Sequence, residues 1–253
     1  MDLAGKAALV TGGGTGIGRS TALLLAAAGC SVAVNYNRSA DAAHDVVDRV
    51  RSHDVEALSV QGDVASDIDC RRMVDEAVAS LGRLDVLVNN AGTTVHVAHD
   101  ELDGLDAADW HSLYDVNTIG PWQMMRAAAG PLRRDGGGEV VNVSSVAGVA
   151  GIGSSLAYCA SKAALNNLTV TMARVLAPEV RVNAVAPGFV TGRWWIESHG
   201  EETHDMIRDA MRESSPLKSV CTPDDVAASI LGLITGPDLV TAQILVIDAG
   251  QLT

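Results

Sequence analysis

Residues 11–18, TGGGTGIG, decide the fold through both their glycines and their position in the chain. The apolar run Lys6 to Val10 before them is typical of a short strand, and the stretch Gly16 to Ala28 predicts a helix. Glycines at such a turn let the backbone approach a pyrophosphate, which the N–H groups and dipole of the helix N-terminus bind. A plain flexible loop has a similar composition, but the position between first strand and first helix favours dinucleotide binding.

Short branched runs alternate with amphipathic stretches along the rest of the chain, and this order predicts the fold class. Because a helix separates successive strands, the connections are parallel crossovers. We therefore expect one α/β domain, residues 1–253, with a doubly wound, seven-stranded parallel sheet of the Rossmann-like kind. The other strands are predicted at Ser31–Asn35, Val55–Val60, Asp85–Val88, Glu139–Val143, Val180–Val185 and Gln243–Ile247. The other helices are predicted at Ala40–His53, Asp67–Leu81, Asp106–Arg134, Leu156–Leu176 and Pro223–Ile234.

One connection is too long for a plain loop. Almost forty residues lie between the strand ending at Val185 and the helix starting at Pro223. An insertion of this length in a compact domain is usually functional, so we expect a substrate lid at about 190–215. Trp194 and Trp195 within it could form a substrate wall, or could cover the closed lid or a subunit contact.

Composition excludes several classes of protein. The formal net charge of −13 argues against a nucleic-acid partner, which requires a basic face. There is no apolar run long enough for a membrane span and no secretory signal at the N-terminus. Four cysteines without paired spacing are typical of reduced thiols rather than of disulfides or a metal site. We therefore expect a cytoplasmic protein without a metal ion.

Several short motifs follow one another along the chain. Besides residues 11–18, they are NNAG (89–92), Asn117, VNVSS (141–145), YCASK (158–162) and PG (187–188). Their order and spacing resemble the short-chain dehydrogenase/reductase family. The resemblance extends from Lys6 to residue 250 and is greatest to the branch of about 250 residues that includes 3-oxoacyl-(acyl-carrier-protein) reductases. It implies a nicotinamide cofactor, a carbonyl or alcohol substrate and a homotetramer. The longer, epimerase-like branch is disfavoured because Thr15 stands where it requires a glycine.

Tyr158 and Lys162 are the candidate acid–base pair. They lie four residues apart in a predicted helix and so project from one face. A nearby cation is expected to lower the pKa of a tyrosine, which is ordinarily about 10. An exposed helix-face pair is the structural alternative. Ser145, at the family's spacing from Tyr158, is the candidate that polarises the substrate oxygen, with Ser144 as the competing residue. The resemblance places Asn117 in a proton relay, although it could simply be a buried, hydrogen-bonded asparagine.

The resemblance also assigns residues to the cofactor. Asn89, Ala91 and Gly92 would line its adenosine half, Asp63 and Val64 its adenine, and Pro187, Gly188 and Thr191 its nicotinamide amide. Asp63 could instead cap the following helix, and Pro187-Gly188 could be an ordinary turn. In the glycine turn the candidates are Gly12, Gly14, Thr15, Gly16, Ile17 and Gly18, and Tyr158 and Lys162 contact the cofactor as well.

The segment after the second strand bears on which nicotinamide is used. NAD enzymes of this fold hold the ribose hydroxyls with an acid there, whereas an arginine suits a 2′-phosphate. This chain has Arg38 and no acid before Asp41, which favours NADP over NAD. Thr15 tempers this prediction, because many NADP-dependent relatives carry a basic residue at its position.

Three functions remain open. The first is a carbonyl reductase, and the second is an alcohol, sugar or steroid dehydrogenase that works oxidatively. The third is a catalytically inactive nucleotide sensor, which the retained Tyr158 and Lys162 argue against. His96 and His99 follow NNAG and could face the pocket or solvent.

Overall fold

The computed structural model describes residues 1–134, 136–192, 196 and 200–252. Seven strands form one sheet in the order β3-β2-β1-β4-β5-β6-β7, and every pairing in it is parallel. The predicted doubly wound fold is therefore confirmed. The strands are β1 (Ala7–Val10), β2 (Ser31–Tyr36), β3 (Ala57–Gln61), β4 (Val86–Asn89), β5 (Gly138–Val143), β6 (Val180–Pro187) and β7 (Ile244–Ile247).

Helices cover both faces of the sheet. They are α1 (Gly16–Ala27), α2 (Ala40–Arg51), α3 (Asp67–Leu81), α4 (Ala107–Tyr114), α5 (Gly120–Leu132), α6 (Ala147–Ala150), α7 (Leu156–Leu176), α8 (Glu201–Ser214) and α9 (Pro223–Thr235). Helices α1, α2 and α9 share one apolar core with the sheet, while α3, α5 and α7 share the other. Successive residues of β1 pack into opposite cores: Ala8 and Val10 lie in the first core and Leu9 lies in the second. Because both faces of the sheet are buried, the strands are apolar throughout.

The predicted helix Asp106–Arg134 is interrupted. Helix α4 ends at Tyr114, a π-helical turn spans Asp115–Ile119, and α5 continues from there. Such turns add one residue to a helix and often occur at functional sites. The apolar periodicity on either side is helical, so the sequence pattern does not reveal the extra residue.

Two further helices lie where no helix was predicted. Helix α6 is a single turn after β5, and α8 occupies part of the predicted lid segment.

An ion pair between two interior strands fastens the end of α9 to the sheet. Arg181 of β6 pairs with Glu139 of β5 at 2.8 Å and donates to the carbonyls of Leu233 (3.1 Å) and Ile234 (3.4 Å). Burial outweighs the arginine and raises the pKa of Glu139 to about 7.

Candidate active site

The candidate residues follow the carboxyl ends of four neighbouring strands. The glycine turn follows β1, NNAG ends β4, Ser145 follows β5, and Pro187-Gly188 ends β6. Because all strands are parallel, these ends meet at one edge of the sheet, beside the point where the strand order reverses from β1 to β4. This edge is where doubly wound sheets bind ligands.

The glycine turn has the shape of a phosphate cradle. A Cβ on Gly18 would overlap the carbonyl oxygen of Gly12, so α1 can approach β1 only with glycine there. Gly16 has φ +51° and faces open space, and the Thr15 side chain caps none of the first-turn amides in the described structure. The amides at the start of α1 are therefore free for an anion, which fits the pyrophosphate of a dinucleotide.

Thr11 and Asn90 join this turn to the end of β4. The Thr11 hydroxyl accepts from the amides of Asn90 (2.9 Å) and Ala91 (3.0 Å). The Asn90 side chain donates to the carbonyls of Thr11 (2.9 Å) and Gly12 (3.0 Å). Asn90 was not predicted as a site residue, although its position within NNAG was the available signal.

Asn89 is the neighbouring asparagine, and its side chain points into the protein. It donates to Asn142 of β5 at 2.8 Å, and Asn142 donates to Thr169 of α7 at 2.9 Å. All three side chains are buried. The Asn89 side chain therefore bridges strands and helix rather than facing the cleft, while Ala91 and Gly92 lie on the loop beyond it.

Ser145, Tyr158 and Lys162 lie together at the ends of β5 and α7. Ser155 caps α7 by accepting from the Tyr158 amide at 3.2 Å, which fixes the start of the helix that carries Tyr158 and Lys162. The Ser145 side chain lies beside the Tyr158 hydroxyl, where it lowers the pKa of the tyrosine. The Lys162 ammonium lies 5.8 Å from the Tyr158 ring centroid and donates to the Val143 carbonyl at 2.9 Å.

The electrostatics of this cluster differ from the expectation. Burial raises the pKa of Tyr158 to about 12, and the neighbouring Ser145 side chain acts in the opposite direction. Burial also lowers the pKa of Lys162 to about 8, because its charge is costly in the interior. The net shift of the Tyr158 pKa is therefore upward rather than downward, which favours the protonated form that a proton donor requires.

Asn117 lies in the π-helical turn, fully buried beside the cluster. Its side chain accepts from the Thr93 amide and donates to the Thr93 carbonyl, both at 2.9 Å, and it donates to Ser161 at 3.1 Å. A Cβ on Gly92 would lie 3.3 Å from its Oδ1 and 3.6 Å from Lys162 Nζ. Asn117 therefore ties the loop after β4 to α7 within a few ångströms of the lysine.

Ser144, the competing serine, faces away from Tyr158. It is buried, and its hydroxyl donates to the Lys162 carbonyl at 3.3 Å. Asp63 likewise has a local role, since its Oδ1 accepts from the Ala65 amide at 2.9 Å. Ser66, not Asp63, caps α3, and the buried Val64 packs against Gly120.

The segment after β6 is fastened on both sides. The Gly188 amide donates to the Ile247 carbonyl of β7 at 2.8 Å, and the Val146 amide donates to the Pro187 carbonyl at 2.9 Å. The Thr191 amide donates to the Cys221 carbonyl at 2.9 Å. His204 of α8 is buried against this segment and accepts from Gly192 at 3.4 Å. Trp194 and Trp195 lie outside the described residues.

The remaining candidates lie at the rim of the site. Arg38 is exposed in the turn after β2 and forms no hydrogen bond or ion pair with the described chain. His99 lies 3.9 Å from the sulfur of Cys159, the neighbour of Tyr158, whereas His96 is exposed on the same loop.

This arrangement matches known proteins over nearly the whole chain. A family model described as short chain dehydrogenase matches residues 6–202. The chain belongs to this family. A protein named as ketoacyl reductase 2 of the granaticin polyketide synthase, from Streptomyces violaceoruber, is 40% identical over 243 residues, covering 96% of this chain and 94% of its own. The 3-oxoacyl-(acyl-carrier-protein) reductase of Staphylococcus epidermidis is 35% identical over 248 residues, covering 97% and 98%.

Solved structures of short-chain dehydrogenases have the same architecture. One from Burkholderia xenovorans, named as a dehydrogenase/reductase, matches with a TM-score of 0.90 at 39% identity, covering 98% of each chain. An NAD⁺-bound xylitol dehydrogenase matches with a TM-score of 0.89 at 30% identity, covering 99% of this chain and 100% of its own.

As a short-chain dehydrogenase, the protein is a nicotinamide-dependent oxidoreductase that moves a hydride between the cofactor and a carbonyl or alcohol. The described residues hold no cluster of three or more metal-ligating side chains. No helix within the described ranges could span a membrane.

Proposed function

We propose that this short-chain dehydrogenase reduces a ketone with NADPH, using Tyr158 as proton donor. The observation that carries the proposal is that the Ser145 side chain lies beside the Tyr158 hydroxyl, next to a buried Lys162. Reduction of a ketone leaves negative charge on oxygen, which must be stabilised by hydrogen bonds and neutralised by a proton. The two hydroxyls supply both functions at one point of the cleft.

The residues divide the work as follows. The bound reduced nicotinamide supplies the hydride. Ser145 donates a hydrogen bond to the substrate oxygen, and Tyr158 transfers its phenolic proton to that oxygen as the hydride reaches the carbonyl carbon. A pKa raised to about 12 keeps Tyr158 protonated before the reaction. Lys162 is largely charged below its pKa of about 8 and stabilises the tyrosinate that forms. Asn117 holds the adjoining loop in place.

The cofactor contacts follow from the same edge of the sheet. The amides from Gly14 to Gly18 bind the pyrophosphate at the start of α1. Ala91 and Gly92 line the adenosine half, and Asp63 and Val64 line the adenine. Pro187, Gly188 and Thr191 hold the nicotinamide amide. Arg38, exposed and unpaired within the described chain, is the binding group for the 2′-phosphate of NADP.

The runner-up function is oxidation of a polyol or other alcohol with NAD. It is favoured by the likeness to the NAD⁺-bound xylitol dehydrogenase, and the same Tyr158 would then accept the proton. A panel of ketones and alcohols with each nicotinamide, followed by absorbance of the reduced cofactor, decides between the two. Ketone reduction with NADPH is expected, and faster alcohol oxidation with NAD at neutral pH would overturn this choice.

Tyr158→Phe tests the mechanism. The variant keeps the ring but loses the transferred proton, so turnover is expected to be abolished while cofactor affinity stays within a few-fold. Ordinary turnover by a pure, folded preparation of Tyr158→Phe would refute the assignment.

Three features of the wider protein belong to this proposal. The segment 190–215 closes over the bound substrate, so its hydrogen exchange is expected to slow with saturating ligands. The chain forms a homotetramer through the faces of α4, α5 and α7. Partly exposed Trp110, Ile119 and Trp122 support this, and light scattering is expected to report four subunits.

The four free cysteines support a reducing compartment, the cytoplasm.

A further inference from the structure

Asn35 is an amide buried within an apolar strand. It is the fifth residue of β2, follows Val32, Ala33 and Val34, and is only 2% exposed. A buried amide is costly unless its polar atoms are hydrogen-bonded, so its partners indicate why the position is polar. Those partners lie in the glycine turn on one side and in β3 and α3 on the other.

The acceptors of Asn35 face the glycine turn. Its side-chain Oδ1 accepts from the Gly12 amide at 3.1 Å, and its backbone carbonyl accepts from the Gly13 amide at 2.9 Å. Gly12 has φ +60°, a left-handed conformation that turns its N–H back toward β2. One residue thus holds two consecutive amides of the turn.

The donor atom of Asn35 faces the opposite way. Its Nδ2 lies 3.2 Å from the Val60 carbonyl, 3.0 Å from the Gly62 carbonyl and 2.9 Å from the Met73 sulfur. These contacts fix the amide's orientation, because exchanging its oxygen and nitrogen would set donors against the Gly12 N–H and leave the carbonyls facing an oxygen. The side chain therefore connects the glycine turn to β3 and α3 and fixes the position of the turn relative to them.

We infer that Asn35 is a positioning residue for dinucleotide binding, which holds the glycine turn where the α1 amides meet the pyrophosphate. The inference rests on the proposed function, since it assumes a dinucleotide at this edge of the sheet. Asn35 acts through Gly12 and Gly13, beneath a part of the ligand that NAD and NADP share. Its loss therefore weakens both cofactors by the same factor, whereas Arg38 distinguishes between them.

Asn35→Leu removes the amide and keeps its approximate size. Calorimetric titration with NADP⁺ and with NAD⁺ is expected to show a roughly three- to tenfold higher Kd for both, the factor of one neutral hydrogen bond. At saturating cofactor, kcat stays within about twofold, because Tyr158 and Lys162 are untouched. Met73→Leu is the matched control: it removes the sulfur contact, preserves the Gly12 bond and is expected to leave both Kd values unchanged.

Asn35→Asp supplies a second, pH-dependent readout. When protonated, the buried carboxyl can accept from Gly12 and donate to one carbonyl, as the amide does. When ionised, it repels the Val60 and Gly62 carbonyls and the pyrophosphate. The ratio of its NAD⁺ Kd to the wild-type value is therefore expected to fall toward one as the pH is lowered from 8 to 5.5.

Three results would overturn the inference. The first is wild-type affinity for both cofactors in folded Asn35→Leu, and the second is a loss confined to one cofactor. The third, decisive if the leucine variant does not fold, is a pH-independent ratio for Asn35→Asp. If the wild-type chain binds neither dinucleotide, the proposed function itself fails, and this separate result is visible before any variant is made.

Discussion

The two adjacent serines after β5 allow a sharply controlled test of the site. Ser145 lies beside the Tyr158 hydroxyl, whereas the buried Ser144 hydroxyl donates to the Lys162 carbonyl at 3.3 Å. Removing one hydrogen-bond donor to a developing oxyanion costs about 2.7–4 kcal/mol, or roughly 10²–10³ in kcat. Ser145→Ala should show this loss. Because the Ser145 side chain lowers the pKa of Tyr158, its removal also makes the tyrosine a weaker acid.

Ser144→Ala is the matched control. It removes one buried neutral hydrogen bond, which lowers the free energy of unfolding by about 0.5–1.5 kcal/mol. Its kcat is expected to stay within a few-fold of wild type, because the Ser144 hydroxyl points to backbone rather than to the cleft. The assay is loss of NADPH absorbance at saturating ketone, with a thermal unfolding midpoint for each variant. The assignment is refuted if Ser144→Ala loses as much kcat as Ser145→Ala.

Two further predictions concern cofactor choice and stability. Arg38→Ala is expected to weaken NADPH binding roughly ten- to a hundredfold, the loss of one charge-assisted hydrogen bond, and to leave NADH unchanged. A wild-type preference for NADH would contradict this assignment. Glu139 holds its proton more tightly in the folded protein, so wild-type stability should fall as the pH rises from about 4.5 to about 7. Between pH 5 and 8, the free energy of unfolding measured with urea should fall by about 2–3 kcal/mol less in Glu139→Gln than in the wild type. The same pH dependence in both proteins would show that Glu139 is ionised throughout.

Local sequence patterns predicted most of the fold because the bounds of helices and strands depend mainly on nearby residues. The ends of α3 and α7 lie at the predicted residues, where Ser66 and Ser155 supply side-chain caps. The spacing of the motifs likewise predicted that Ser145, Tyr158 and Lys162 lie together. The direction of the Asn89 side chain depends on Asn142, fifty-three residues away, which no local pattern records. The raised pKa of Tyr158 is equally non-local, because it results from burial by the assembled fold.

The role of Asn35 likewise depends on residues that are distant in the sequence. Its sequence neighbours identify a strand, but the need for an amide there arises from Gly12, Val60 and Gly62, which only the sheet brings together. A hydrogen-bond requirement of this kind becomes visible once the polar atoms of a buried residue are matched to their partners.

The π-helical turn at Asp115–Ile119 has a consequence for the orientation of α4 relative to α5. A π turn corresponds to one residue inserted into a continuous α-helix, so deleting a single codon there would restore regular winding. Each helical residue advances the chain by about 100°, and that deletion would rotate α4 by this angle relative to α5. Asn117 would leave Thr93 and Ser161, and the stacked pair Trp110 and Tyr114 would face a different direction. The extra residue of the π-helical turn therefore sets both the direction that α4 faces and the position of the asparagine beside Lys162.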